Sequence, residues 1–177
     1  YKRQVYGKPK KNPVEESDPL QPTNYYGFTK LIIENNLKWF SKLKKIRYAS
    51  LRYFNAAGYD LLKRISNVER NPQNLIPLMI EVAIGMKKKV RVYGNYYNTR
   101  DGTGIRDYIH VSDLAKAHLD AIQYLHEKNQ DLTVNLGTGV GYTVFEVLKE
   151  IEEVTKIKLD YSIDKRRDGD MLSLIHI

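Results

Sequence analysis

Within residues 31–40 the apolar positions Ile33, Leu37 and Phe40 recur at i, i+4 and i+7, the spacing of one helical face. The pattern predicts a helix over residues 26–43. A β-type run follows at 46–54, with Arg47-Tyr48-Ala49-Ser50-Leu51-Arg52-Tyr53-Phe54. Upstream, Val5-Tyr6-Gly7 reads as a strand end, and 8–23 is a loop carrying Pro9, Pro13, Pro19 and Pro22. Asn55-Ala56-Ala57-Gly58 reads as a turn and 60–73 as polar loop. A second helix is predicted from Asn74 or Leu75 to about residue 86, with Pro77 in its first turn, where proline is tolerated. Strands are predicted at 90–94 and, as a short extended piece, at 106–111, separated by a Gly/Asn/Asp loop over 95–104. Ser112 is the expected N-cap of a helix reaching Leu125, with Asp113 in its first turn. A strand at 132–136, an exit loop at 137–141, an amphipathic helix at 143–154 and a strand at 158–163 complete the pattern. Strands alternating with helices predict an α/β fold with a mostly parallel sheet.

The chain has 177 residues, enough for one core or for a domain with a lobe. No apolar run approaches the roughly 20 residues of a membrane span, and no secretory pattern opens the sequence. Zero Cys excludes disulfides, thiolate catalysis and Cys-ligated metals, and fits a reducing compartment such as the cytoplasm. The net charge of +8 raises the question of nucleic acid. The Lys and Arg are dispersed along helix ends and solvent faces, however, and a protein whose substrate carries a diphosphate has the same balance. The expectation is no nucleic acid, no membrane and no metal.

Tyr26 and Lys30 lie four residues apart at the start of the first predicted helix, so they share a face. An unperturbed phenol ionises near pH 10. A neighbouring ammonium favours the phenolate and makes such a tyrosine a candidate general base. With 14 Tyr in a lysine-rich chain, the same spacing also fits surface decoration. His110 reads as a structural histidine, and Gly137-Thr138-Gly139-Val140-Gly141 as a tight strand exit despite its likeness to a phosphate loop.

Five motifs occur in order: Val5-Tyr6-Gly7; Tyr26-Gly27-Phe28-Thr29-Lys30; the stretch from Leu51-Arg52-Tyr53-Phe54 through Asn55-Ala56-Ala57-Gly58; the long block from Asp101-Gly102-Thr103-Gly104 through Arg106-Asp107-Tyr108-Ile109-His110 to Ala115; and Arg166-Arg167-Asp168-Gly169-Asp170. On these the chain resembles the extended short-chain dehydrogenase/reductase superfamily and, within it, the UDP-glucose 4-epimerase family. The long fourth block carries most of that resemblance. It implies a partial doubly wound, Rossmann-like parallel sheet with a smaller α/β substrate-binding lobe. Residues 5–58 would be the second half of an NAD-binding domain, 59–105 substrate lobe, 106–140 a return to the sheet and 141–171 lobe again. Residues 1–4 and 172–177 read as foreign, like translated sequencing adapter.

The implied activity is NAD-dependent epimerisation of a UDP-hexose at C4 through a 4-keto sugar, as in galactose metabolism, by a homodimer. Tyr26 would take the proton of the 4-hydroxyl while hydride passes to the nicotinamide. Lys30 would support the phenolate and reach the nicotinamide ribose. Tyr53 and Phe54 match positions beside the nicotinamide, and Asn55 a ligand of the substrate diphosphate. Asn74 and Leu75 match a helix start at the same diphosphate, Arg91 and Tyr93 contacts to uracil, Arg106 and Arg167 a diphosphate clamp, and Asp170 a ribose contact. The family's Gly-rich cofactor turn is absent, and Lys2 stands three residues before Val5, where the family has a catalytic Ser or Thr. The expectation is therefore a fragment truncated at its amino end and itself inactive. Open alternatives are a nucleotide-sugar 4,6-dehydratase, a 4-epimerase of UDP-N-acetylhexosamines or UDP-pentoses, and a non-catalytic nucleotide-sugar-binding module.

Overall fold

The computed structural model describes residues 5–7, 13–65, 69 and 71–166. The residues 1–4, 167–171 and 172–177, including Lys2, Arg167 and Asp170, lie outside them. The chain divides into two compact units. Unit 1 holds the described residues up to Leu62 together with Asp107–Val140; unit 2 holds the described residues of Lys63–Arg106 and those from Gly141 to Arg166.

In unit 1, helix α1 (Tyr25–Lys44) begins at Asn24, whose Oδ1 accepts from the Gly27 amide at 2.8 Å. Strand β1 (Ala49–Tyr53) follows and pairs in parallel with β5 (Leu132–Leu136), in the register Ala49↔Leu132 to Tyr53↔Leu136. Strand β2 (Asn55–Ala57) pairs in parallel with β4 (Ile105–His110), Asn55 opposite Tyr108. Helix α3 (Val111–Lys128) lies between β4 and β5 in the chain and ends with Asn129 in the left-handed region. Leu51, Phe54, Ile109 and Ala121 are among the buried core residues, with Val5, Tyr6 and Val14 covering the amino-terminal side.

In unit 2, helix α2 (Leu75–Ala83) is followed by β3 (Val90–Tyr93), which pairs in parallel with β7 (Tyr161–Asp164). Strand β6 (Gly141–Thr143) leads directly into helix α4 (Val144–Thr155), which packs on α2. Met79, Ala83, Val90, Val92, Val147, Leu148 and Leu159 form the core. The pairs β1–β5, β2–β4 and β3–β7 are all parallel, and helices lie between the paired strands along the chain, which is the α/β class that the alternation predicts.

Several local expectations are corrected. Asn55-Ala56-Ala57 is a strand rather than a turn, because three residues suffice to pair with β4, and the chain turns at Gly58 with φ 91. Residues 5–7 form a bend, not a strand end, with Gly7 at φ 65. Helix α2 stops at Ala83 rather than residue 86, because the Gly85 and Met86 amides turn back to the Val82 and Glu81 carbonyls. Strand β6 was not expected. The cap of α3 is His110, not Ser112: its Nδ1 accepts from the Ser112 amide at 3.2 Å.

The facing of α1 is not the one that would bury its apolar stripe. Ile33 and Phe40, two members of the apolar stripe, are about half exposed. The buried line is instead Gly27, Glu34 and Ser41, at i, i+7 and i+14. The fully buried side chains of α1 are thus polar, Glu34 and Ser41, while Leu31 and Leu37 are half-buried.

Candidate active site

The first turns of α1 present Tyr26 and Lys30 together. The Lys30 ammonium lies 4.8 Å from the centre of the Tyr26 ring, over its face. The Asn24 cap sets this entry, and the Thr29 hydroxyl donates to the Tyr26 carbonyl at 2.7 Å. Tyr26 keeps 43% of its surface exposed, so a ligand can reach the phenol. A phenol beside an ammonium on one helical face is a candidate acid–base pair.

Tyr53 ends β1, a parallel strand, and Phe54 and Asn55 follow it directly. Tyr53 is half-buried, with its ring centre 6.3 Å from that of His118; Phe54 is buried. Ligands of open parallel sheets bind outside the carboxyl ends of the strands, and these residues occupy such an end. Asn55 donates through Nδ2 to the Asp107 carbonyl at 2.9 Å, which fixes its amide.

Behind this surface lies a buried polar network that sequence reading did not anticipate. Arg52, on β1, forks onto Glu34 of α1: Nε to Oε1 at 3.0 Å and Nη2 to Oε2 at 2.7 Å. The two side chains are 3% and 6% exposed. Arg52 Nη1 also donates to the Tyr6 hydroxyl, which in turn donates to Asn135 Oδ1 at 2.8 Å on β5. Glu16 accepts from the Asn135 amide at 2.6 Å. Burial alone would push the Glu34 carboxyl up, but the hydrogen bonds and charge of Arg52 outweigh it and hold the carboxyl below its ordinary value. Burial pushes the Tyr6 phenol up, in keeping with its role as a donor to Asn135.

The loop of residues 137–141 is not an open phosphate cradle. The Thr138 and Gly139 amides and the Thr138 hydroxyl all donate to the fully buried carboxylate of Asp107, at 2.8–3.0 Å. His110 is likewise spent on capping α3. Gly58 packs so closely on it that a Cβ there would sit 2.1 Å from the His110 ring.

In unit 2, Asn74 is the N-cap of α2, yet its side chain makes no capping bond, whereas Asn24, His110 and Thr143 cap α1, α3 and α4. Leu75 is the first residue of α2. Arg91 is exposed on β3, its Nε 3.8 Å from Asp164 Oδ2, and Tyr93 is half-buried at the end of the same strand. Arg106, half-buried on β4, donates through Nη1 to the Ile105 carbonyl at 2.9 Å. A second network holds the preceding loop. Asp101 Oδ1 accepts from the Thr103 amide and hydroxyl at 2.8 and 2.7 Å, Asp101 Oδ2 accepts from Thr143, and Thr103 Oγ1 accepts from the Val144 amide. Thr143 and Glu146 form a capping box at the start of α4, and Arg100 forks onto Glu146.

The structure thus brings Tyr26 and Lys30 together and sets Tyr53, Phe54 and Asn55 consecutively at a strand end within unit 1. Asn74, Leu75, Arg91, Tyr93 and Arg106 fall in unit 2. The residues missed were Glu34, Arg52, Tyr6 and Asp107. One signal was available for Glu34, which continues the i, i+4 ladder of Tyr26 and Lys30; the others carry no local signature. Among the described residues, no group of three or more His, Asp or Glu could hold a metal ion, and no helix is long and apolar enough to cross a membrane.

The parallel α/β architecture and a Tyr/Lys pair on a helix define a class that binds nucleotide cofactors at strand ends. Residues 3–137 match the NAD dependent epimerase/dehydratase family, and the chain belongs to that family. It is 45% identical over 171 residues to the UDP-glucose 4-epimerase of Halalkalibacterium halodurans, covering 97% of this chain and 51% of that protein. It superposes with a TM-score of 0.92 and 40% identity on the UDP-glucose 4-epimerase of Brucella ovis in complex with NAD, over 98% of this chain and 54% of that one. The enzyme from Bifidobacterium longum, solved in complex with NAD+ and UDP, gives a TM-score of 0.90 and 40% identity over 98% and 52%. The chain spans about half the length of the curated relatives it matches.

Proposed function

We propose that the protein is an NAD-dependent UDP-glucose 4-epimerase, interconverting UDP-galactose and UDP-glucose in cytoplasmic galactose metabolism. The observation that carries this is the Lys30 ammonium 4.8 Å from the Tyr26 ring on one face of α1, in a chain of the NAD dependent epimerase/dehydratase family. NAD, when bound, supplies a hydride acceptor and donor. The residues fit it: Tyr26 and Lys30 offer a phenol and an ammonium, and Tyr53 and Phe54 offer aromatic surface at the end of a parallel strand. Tyr26 takes the proton from the sugar 4-hydroxyl as C4 loses hydride, and returns it to the C4 oxygen when hydride comes back to the other face of the rotated 4-keto sugar. Lys30 stabilises the negative charge that the phenol carries in between. The rings of Tyr53 and Phe54 exclude water.

For the substrate, Asn74 and Leu75 stand at the amino end of α2, and helix amino ends favour phosphate. Asn74 and Leu75 there, with Arg106 and Arg167 as guanidinium clamps and Asn55 as an amide ligand, would take the diphosphate. Tyr93 and Arg91 would flank the uracil, and Asp170 would accept from a ribose hydroxyl. Unit 1 is then the cofactor half and unit 2 the substrate lobe. A homodimer fits the exposed apolar face of α1, where Trp39 is 62% and Leu43 71% exposed.

The test is turnover of UDP-galactose by the intact protein that carries this sequence, with NAD present. UDP-glucose is the expected product, and Tyr26→Phe is expected to lower kcat by about 10²–10⁴. No turnover, or a 6-deoxy-4-keto product, would overturn the reading; the latter would make the protein a dehydratase.

A further inference from the structure

We propose that Glu34, Arg52 and Tyr6 form a positioning clamp that holds the Tyr26–Lys30 face of α1 in register with the strand end carrying Tyr53, Phe54 and Asn55. The kinetic part of this proposal rests on the epimerase reading. Tyr26, Lys30 and Glu34 follow one another at four-residue steps, so Glu34 lies about 6 Å along the helix axis from Lys30 and near the same face. Arg52 immediately precedes Tyr53 on β1. The Glu34–Arg52 fork therefore joins the residue one turn beyond Lys30 to the residue next to Tyr53.

Three observations separate this from ordinary packing. First, the fork has two parallel N–H···O bonds, which fix both distance and angle, and it is almost entirely out of solvent. Second, Ile33 and Phe40 of the apolar stripe are about half exposed and Leu37 is half-buried, so no fully buried apolar side chain anchors the helix within this chain. Its buried contacts are Gly27, Glu34 and Ser41, and Ser41 donates to Asp131 three helical turns from Lys30. Glu34 is the polar anchor nearest the pair. Third, Tyr6 extends the clamp: its hydroxyl accepts from Arg52 and donates to Asn135, so the guanidinium that joins α1 to β1 is linked through Tyr6 to β5.

A buried ion pair is poor evidence for stability, since apolar residues of similar volume often replace it at little cost. What such a replacement removes is directionality. A displacement of about 1 Å in a reacting group can cost roughly a hundredfold in rate. Glu34, Arg52 and Tyr6 are thus positioning residues, acting through Tyr26 and Lys30.

The experiment uses the intact protein with Glu34 and Arg52 both changed to Met, a pair that fills the same space without charge. The expected result is a thermal midpoint close to wild type, kcat for UDP-galactose lowered at least about tenfold and KM within about twofold. In ring-¹³C-tyrosine spectra, the Tyr26 resonance, assigned with Tyr26→Phe, is expected to shift or broaden. Wild-type kcat with an unmoved Tyr26 resonance in the folded double variant overturns the proposal. If the double variant fails to fold, Tyr6→Phe, which removes only the bridging hydroxyl, is judged by the same kcat and resonance criteria. Absence of turnover in the wild type sinks the epimerase reading alone; the Tyr26 resonance still decides the clamp.

Discussion

The two units each contain a polar network, and the two are built on opposite principles. In unit 1 the formal charges of Glu34 and Arg52 are buried and face one another, with a phenol and an amide completing their bonds. In unit 2 the fully buried members, Thr103 and Thr143, are neutral hydroxyls, the Asp101 carboxylate they bond is only half-buried, and the charges of Arg100 and Glu146 stay at the surface, 53% and 40% exposed. The first network ties a helix to a strand across the unit. The second holds a loop to the start of a helix, and Gly102, at φ 79, lets that loop close, since a Cβ there would meet the Asn95 carbonyl at 2.1 Å. Buried charges cannot be removed singly without leaving an uncompensated partner, whereas surface charges can.

The strongest test of this contrast is Arg52→Met alone. It leaves Glu34 ionised and buried and should cost about 3–5 kcal/mol in urea unfolding of the intact protein. The Glu34/Arg52 double replacement should cost clearly less. If Arg52→Met costs no more than removal of Arg100, the distinction between the networks fails. The pH dependence sharpens the same point. The folded Glu34 carboxyl titrates below its unfolded value. Its contribution is therefore present above the ordinary glutamate range, about pH 4–5, and is lost as the pH falls through the lower folded value. Wild type should lose stability relative to the double replacement as the pH falls through that window; parallel curves down to acid unfolding would contradict it. Tyr6 works in the other direction: its raised phenol contributes stability that is lost as the pH rises past about 10.

Smaller effects belong to unit 2. Thr143→Ala removes the acceptor for the Glu146 amide and the donor to Asp101, and should cost about 1–2 kcal/mol. Retention of wild-type stability would show that the capping box is redundant. Arg100→Ala, which removes an exposed fork, should cost no more than about 1 kcal/mol, and less at high salt. A larger, salt-independent loss would mean that its bond to the Gly141 carbonyl matters more than its charge.

The long block from Asp101 to Ala115 is the stretch on which family membership was most readable, yet much of it serves structure. Asp101 and Thr103 hold a loop, Asp107 fills the amide nest of residues 137–141, and His110 caps α3. The resemblance identified the block without revealing what its residues touch. The apolar stripe of α1 misled in a similar way: periodicity finds a helix, but which face a helix buries depends on what is packed against it.

Local rules account for what the sequence determined alone. Caps, helical period and alternation of elements act over a few residues, so α1, α3, α4 and the α/β class were legible, as was the placement of Tyr26 and Lys30 on one face. The short strands β2 and β6 were not, because three residues carry no period and exist only through a neighbour. The clamp was not legible either. Its bonds join residues 18, 46 and 129 positions apart, and burial makes a charge seek a partner through space rather than along the chain. Only the tertiary structure could decide that Glu34, Arg52 and Tyr6 meet, because the low dielectric that makes their meeting obligatory is created by the fold itself.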